Sequence, residues 1–150
     1  MRLFTLGILS LAMLCNGIKS AAAFDEIPTC HIPTGVQATD KQDGTPSALR
    51  AALKQKLGDM VPPKAPFDAT DVVWTGHNRR LIFIWNLADR WIIATEHGGR
   101  GYNDPIFVYT VSPDGQKATL LAERIAFPNS VCSVAEELLS FKSGTTTPRK

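Results

Sequence analysis

Leu81-Ile82-Phe83-Ile84-Trp85-Asn86-Leu87 is followed, across Ala88-Asp89-Arg90, by Trp91-Ile92-Ile93-Ala94-Thr95-Glu96. The reading of these two runs decides the fold. Both are short, rich in β-branched and aromatic residues, and bounded by polar turn residues, which is the signature of strands rather than helices. Apolar residues stand at consecutive positions in each, so neither run has one face for water. Such strands are expected to be covered on both faces or to lie in a sharply curved sheet.

Three further segments fit strands: Asp71–Thr75 before the pair, and Ile106–Val111 and Lys117–Ala122 after it. The last is the least apolar and reads as an edge. The links between them, Gly76–Arg80, Ala88–Arg90, His97–Asp104 and Ser112–Gln116, are short, and Pro113-Asp114-Gly115 is a strong turn signal. Short links between successive strands predict an antiparallel meander.

Helices flank these strands. Thr45 and Pro46 suit an N-cap and a first helical position, Leu49, Leu53 and Leu57 follow at four-residue intervals, and Gly58 suits the end. Arg50, Lys54 and Lys56 fall off that stripe and read as a solvated face. Pro62, Pro63 and Pro66 make Met60–Phe67 a connector. After Phe127-Pro128, Asn129 or Ser130 can cap a second helix with Val131, Val134, Ala135 and Leu138 on one face and Cys132 in the first turn. The predicted fold class is α+β: a four- to five-stranded antiparallel meander with one helix before it and one after it.

The chain of 150 residues divides further at its ends. Residues 1–23 read as a cleavable secretory signal peptide: Arg2 leads, Leu3 to Leu14 is apolar, and Ala21, Ala22 and Ala23 supply small residues for cleavage. Asn16 and Lys19 interrupt the apolar run before it reaches membrane-spanning length. Leu14 before Cys15 is too large for the usual lipidation site. Residues 24–142 then form one exported domain, opening with an arm over 24–44 that shows no helical or alternating period. Residues 143–150 are polar and threonine-rich, and read as a disordered tail.

Loss of the signal leaves Cys30 and Cys132 as the only cysteines, and in an oxidising export route they are expected to form a disulfide. The precursor has 16 Lys and Arg against 14 Asp and Glu. Removing Arg2 and Lys19, with no acid, leaves the two signs balanced. Neutrality argues against nucleic acid or an anionic membrane surface as partner, and no second apolar segment predicts membrane insertion after cleavage.

In a meander, alternate links lie at the same end of the sheet, so Gly76–Arg80 and His97–Asp104 should form one rim. The candidate binding residues are His77, Arg79, Arg80, His97, Arg100, Tyr102, Asn103 and Asp104. Gly98, Gly99 and Gly101 allow close backbone approach, Arg100 offers a fork for a carboxylate, and Tyr102 a flat amphipathic surface. A metal would need His77, His97 and Glu96 or Asp104 together, but their spacing matches no zinc pattern, so no metal and no cofactor is expected. His31 lies apart, in the arm. A paired-acid mechanism would use Glu96 and Asp104, a nucleophilic one would need Ser beside His and an acid, and there is no G-x-S-x-G, P-loop or H-E-x-x-H. Trp74, Trp85 and Trp91 are spaced for packing rather than for a sugar platform.

These residues favour a small periplasmic or secreted protein, non-enzymatic, that binds another envelope protein through the two loops in the manner of an inhibitor or immunity protein. The alternatives are a small hydrolase or metal-dependent enzyme using the same loops, and an envelope structural or assembly factor.

Overall fold

The computed structural model describes residues 27–70 and 76–140. The segment read as a signal peptide, the strand expected at Asp71–Thr75 with Trp74, and the segment read as a disordered tail lie outside those residues. The fold is α+β, as the sequence predicts: one antiparallel sheet of five strands in the order β1-β2-β3-β4-β5, with α1 (Ser47–Leu57) before the long strands and α2 (Val131–Leu139) after them.

The four long strands are β2 (Arg79–Leu87), β3 (Arg90–His97), β4 (Asp104–Val111) and β5 (Ala118–Ala126). Their meander follows from the links, with Ala88 and Asp89 alone turning β2 into β3. The fifth strand comes from the segment read as a structureless arm. Gln37–Thr39 forms β1 and pairs with Asn86, Trp85 and Ile84 of β2. Three polar or small residues carry no period of their own; they are extended because the outer edge of β2 offers them backbone hydrogen bonds. At the other end of that edge Val61 takes over, donating to Arg79 O at 3.0 Å and accepting from Leu81 N at 2.9 Å. β5 runs four residues beyond the expected end at Ala122, because an edge strand needs only its inner hydrogen bonds and tolerates Glu123 and Arg124 facing water.

Consecutive apolar residues are explained by two cores, one on each sheet face. Leu81, Ile84, Ile93, Phe107, Tyr109 and Val111 pack with Leu49, Leu53 and Leu57 of α1. Ile82, Phe83, Trp85, Ile92, Ala94, Ile106 and Val108 pack with Val131, Ala135 and Leu138 of α2. Neighbours along a strand thus serve opposite helices. Trp85 is fully buried and stacks on Phe83, with ring centroids 4.4 Å apart; Trp91 packs at the margin of the α1 core.

The helix ends differ in detail from expectation. Thr45 does not cap α1: its hydroxyl donates to Gln42 O at 2.7 Å, closing the short 3-10 turn Gln42–Gly44, and Pro46 occupies the N-cap position. The local turn outcompetes the helix for the hydroxyl. Ser130 does occupy the N-cap of α2, though its hydroxyl bonds back to Phe127 instead of forward into the helix. Cys30 and Cys132 form a disulfide, with Cα atoms 5.3 Å apart and a sequence separation of 102, tying the N-terminal arm to the first turn of α2. Among the described residues, no helix is long and apolar enough to cross a membrane.

Candidate functional site

The two predicted loops do meet. β2 and β3 pair Arg79 with His97 and Arg80 with Glu96, and Gly98 N–H donates to Asn78 O at 2.9 Å. The 97–104 loop is closed at its base by reciprocal backbone bonds between His97 and Asn103, at 2.8 and 3.3 Å. A third segment joins them, Asp68 and Ala69, which fall between the predicted connector Met60–Phe67 and the strand expected at Asp71–Thr75. Asp68 N–H donates to His77 O at 2.7 Å, Gly99 N–H donates to Ala69 O at 3.2 Å, and the Asp68 carboxylate accepts from Gly76 N–H at 2.9 Å. This crossing explains Gly98. A Cβ there would lie 1.9 Å from the Asp68 carbonyl oxygen and 2.8 Å from the Ala69 Cα, far inside contact distance.

Strand alternation sorts the eight candidate residues between the two faces. Arg80, Tyr102 and Asp104 turn to the α2 side, where they meet Glu96. Arg80 and Asp104 are each 1% exposed, so these two are interior residues and present nothing to a partner. Arg80 Nε forms a buried ion pair with Glu96 Oε2, and the guanidinium lies 4.4 Å from the centroid of the Phe67 ring. The Tyr102 hydroxyl donates to Glu96 Oε1 at 2.6 Å; burial first, then this carboxylate, pushes the phenol well above its ordinary value. Asp104 is the outlier. Both its carboxylate oxygens are buried without a hydrogen-bond partner among the described residues. Burial, and then repulsion from Glu96, raises its pKa to about 7, against a smaller opposing pull from Arg80. Glu96 and Asp104, the pair an acid–base mechanism would use, are therefore both inside the protein.

Arg79, His97 and Asn103 turn to the other face. They line a groove of about 230 Å³ that crosses the sheet beyond the last turn of α1. Its remaining walls are Lys56 and Leu57 from α1, Pro105 and Phe107 from β4, and Glu123 and Ile125 from β5. Arg79 and His97 are half-buried, yet neither side chain makes a hydrogen bond or ion pair among the described residues. Burial lowers the pKa of both, and for His97 the neighbouring Arg79 charge adds to the effect. The Asn103 amide is held, donating to Gly101 O at 2.5 Å.

Lys56 and Glu123 were not singled out from the sequence. Lys56 Nζ sits 2.8 Å from Glu123 Oε2 and 5.4 Å from the Phe107 ring centroid, so it forms a wall of the groove rather than part of a purely solvated face. His77 and Arg100 are exposed on the loops outside the groove. The residues considered for a metal are dispersed: His77 outside, His97 in the groove, Glu96 and Asp104 on the opposite face. Among the described residues no group of three or more His, Cys, Asp or Glu is placed to hold a metal ion. No protein family, characterised protein or solved structure matches this chain.

Proposed function

We propose that this chain is an exported, non-enzymatic binding protein that engages another envelope protein through the face built from residues 76–80 and 97–104, as an inhibitor or immunity-type factor. One observation carries the reading: Arg79 and His97 sit side by side in an open groove, half-buried and with no side-chain hydrogen bond or ion pair among the described residues. Partial burial of polar groups costs free energy unless an acceptor is supplied. A partner supplies it. The surroundings support recognition by a preformed surface, since the loops rest on the Arg80–Glu96 pair and are pinned from below by Asp68 and Ala69. The Cys30–Cys132 bridge fits an oxidising compartment outside the cytoplasm.

The test is affinity capture from an envelope extract with the wild type and with the Arg79→Ala/His97→Ala double variant, both shown to be folded by thermal melting. Recovery of a stoichiometric protein by the wild type and its loss with the variant is the expected result. No stoichiometric protein under gentle conditions, or equal recovery with both baits, overturns the proposal.

A further inference from the structure

We infer that the groove beyond α1 is a subsite for a singly charged carboxylate carried on a small apolar body. Its biological use rests on the binding-face reading above, while its chemistry rests on the groove alone. Lys56 and Glu123 pair directly at 2.8 Å; Glu123 also attracts Arg79 through space, but among the described residues no carboxylate forms an ion pair or hydrogen bond with the Arg79 guanidinium. A guanidinium presents a planar fork of N–H donors that matches the two oxygens of a carboxylate, and such paired, charge-assisted bonds are the strong ones. His97, directly across the strand pair, adds a ring N–H beside that fork.

The rest of the groove defines what carries the charge. Phe107 and the 65% exposed Ile125 give it apolar walls, and about 230 Å³ suits a body the size of one amino-acid residue. Glu123 sets the charge limit. A dianion such as phosphate gains from Arg79 but is repelled by the carboxylate on the same groove, whereas a monoanion at the Arg79 end is repelled less. The fitting ligand is thus the carboxyl group of a residue such as leucine, either at a protein's C-terminus or as a small free acid.

The experiment is an NMR titration of the purified full chain, following the His97 imidazole and Arg79 Nε–H signals. N-acetyl-leucine is expected to give saturable shifts with a millimolar Kd, and N-acetyl-leucinamide to bind at least about tenfold more weakly. Arg79→Gln should weaken N-acetyl-leucine by at least about tenfold, or 1.4 kcal/mol, with backbone signals elsewhere unchanged. Glu123→Gln should tighten inorganic phosphate. Equal binding of acid and amide, no effect of Arg79→Gln, or no saturable shift with any probe overturns the assignment. Gly-Gly-Leu with a free C-terminus binding more tightly than N-acetyl-leucine identifies a chain terminus as the source; equal binding identifies a small acid, and either supports the carboxylate subsite. If capture of a partner depends on Arg79 and His97 while no carboxylate binds, the subsite falls and the binding face stands. Carboxylate binding without a captured partner gives the reverse.

Discussion

Raising the pH from 5 to 8.5 should destabilise this protein through one residue, Asp104. Its carboxyl is 1% exposed, both oxygens lack partners among the described residues, and its folded-state pKa is raised from 3.8 to about 7. In the unfolded chain the same group ionises near its ordinary value. Below about pH 4 both states hold the proton and no penalty exists. Between about 4 and 7 only the unfolded state releases it, so stability falls as pH rises; above 7 the folded state carries a buried, unpaired anion and the full penalty. At roughly 1.4 kcal/mol per tenfold, the gap is worth about 4 kcal/mol, or about 15 °C in Tm for a domain near this size. Urea unfolding at pH 5 and 8.5 measures it, with Asp104→Asn as the control that keeps the shape and cannot titrate. Wild type should lose about 2.7 kcal/mol between the two pH values, the rest of the gap having been lost already below pH 5, while the variant stays nearly level. Parallel profiles for the two proteins would refute the argument, because the pH dependence would then belong to other groups.

Three further outcomes are expected. Thiol titration under denaturing conditions should find neither Cys30 nor Cys132 reactive, and replacing both with Ala should cost about 2–5 kcal/mol in urea unfolding, as expected for a bridge with a sequence separation of 102. Arg80→Met should cost about 3–5 kcal/mol by leaving Glu96 charged in the interior, and Arg80→Met/Glu96→Gln should recover most of that loss by thermal melting. Gly98→Ala should destabilise by about 1–3 kcal/mol and expose the 98–103 loop to limited proteolysis, because the new methyl group must displace the backbone at Asp68 and Ala69.

The sheet was legible because burial on both faces leaves its mark on composition: Leu81–Trp85 and Trp91–Ile93 are apolar without alternation, and two helices follow from the leucine stripe of α1 and the spacing in α2. The edges were not. β1 consists of Gln37, Ala38 and Thr39, which bury little and are strand only because β2 has an edge to fill. The same holds for Asp68 and Ala69. Their part in the site is made by backbone groups, N–H of Asp68 to His77 O and Ala69 O to Gly99 N–H, and backbone bonding is nearly independent of side-chain identity. Gly98 was noticed for letting backbone approach closely, but the backbone it admits is the chain's own, at Asp68 and Ala69.

Assigning the polar residues of the rim to the correct face needed one fact the sequence does not display. The tight turn at Ala88 and Asp89 pairs Leu87 with Arg90, Trp85 with Ile92 and Phe83 with Ala94, and an unbroken ladder would next set Arg80 opposite His97. It is not unbroken: Ile82 is the extra residue of a β-bulge, so Leu81 faces Thr95, Arg80 faces Glu96 and Arg79 faces His97. Because side chains alternate, that single insertion exchanges the faces of the two arginines. Without it Arg80 would point to the groove, and Arg79 would lie on the side where Glu96 and Asp104 are buried. With it, one arginine is used up as the counter-ion that makes a buried Glu96 tolerable, and its neighbour is delivered half-buried beside His97, with no hydrogen bond or ion pair among the described residues. The rigidity of the rim and its capacity to bind therefore have a common origin in the bulge at Ile82, in the middle of an apolar run whose composition marks only a strand.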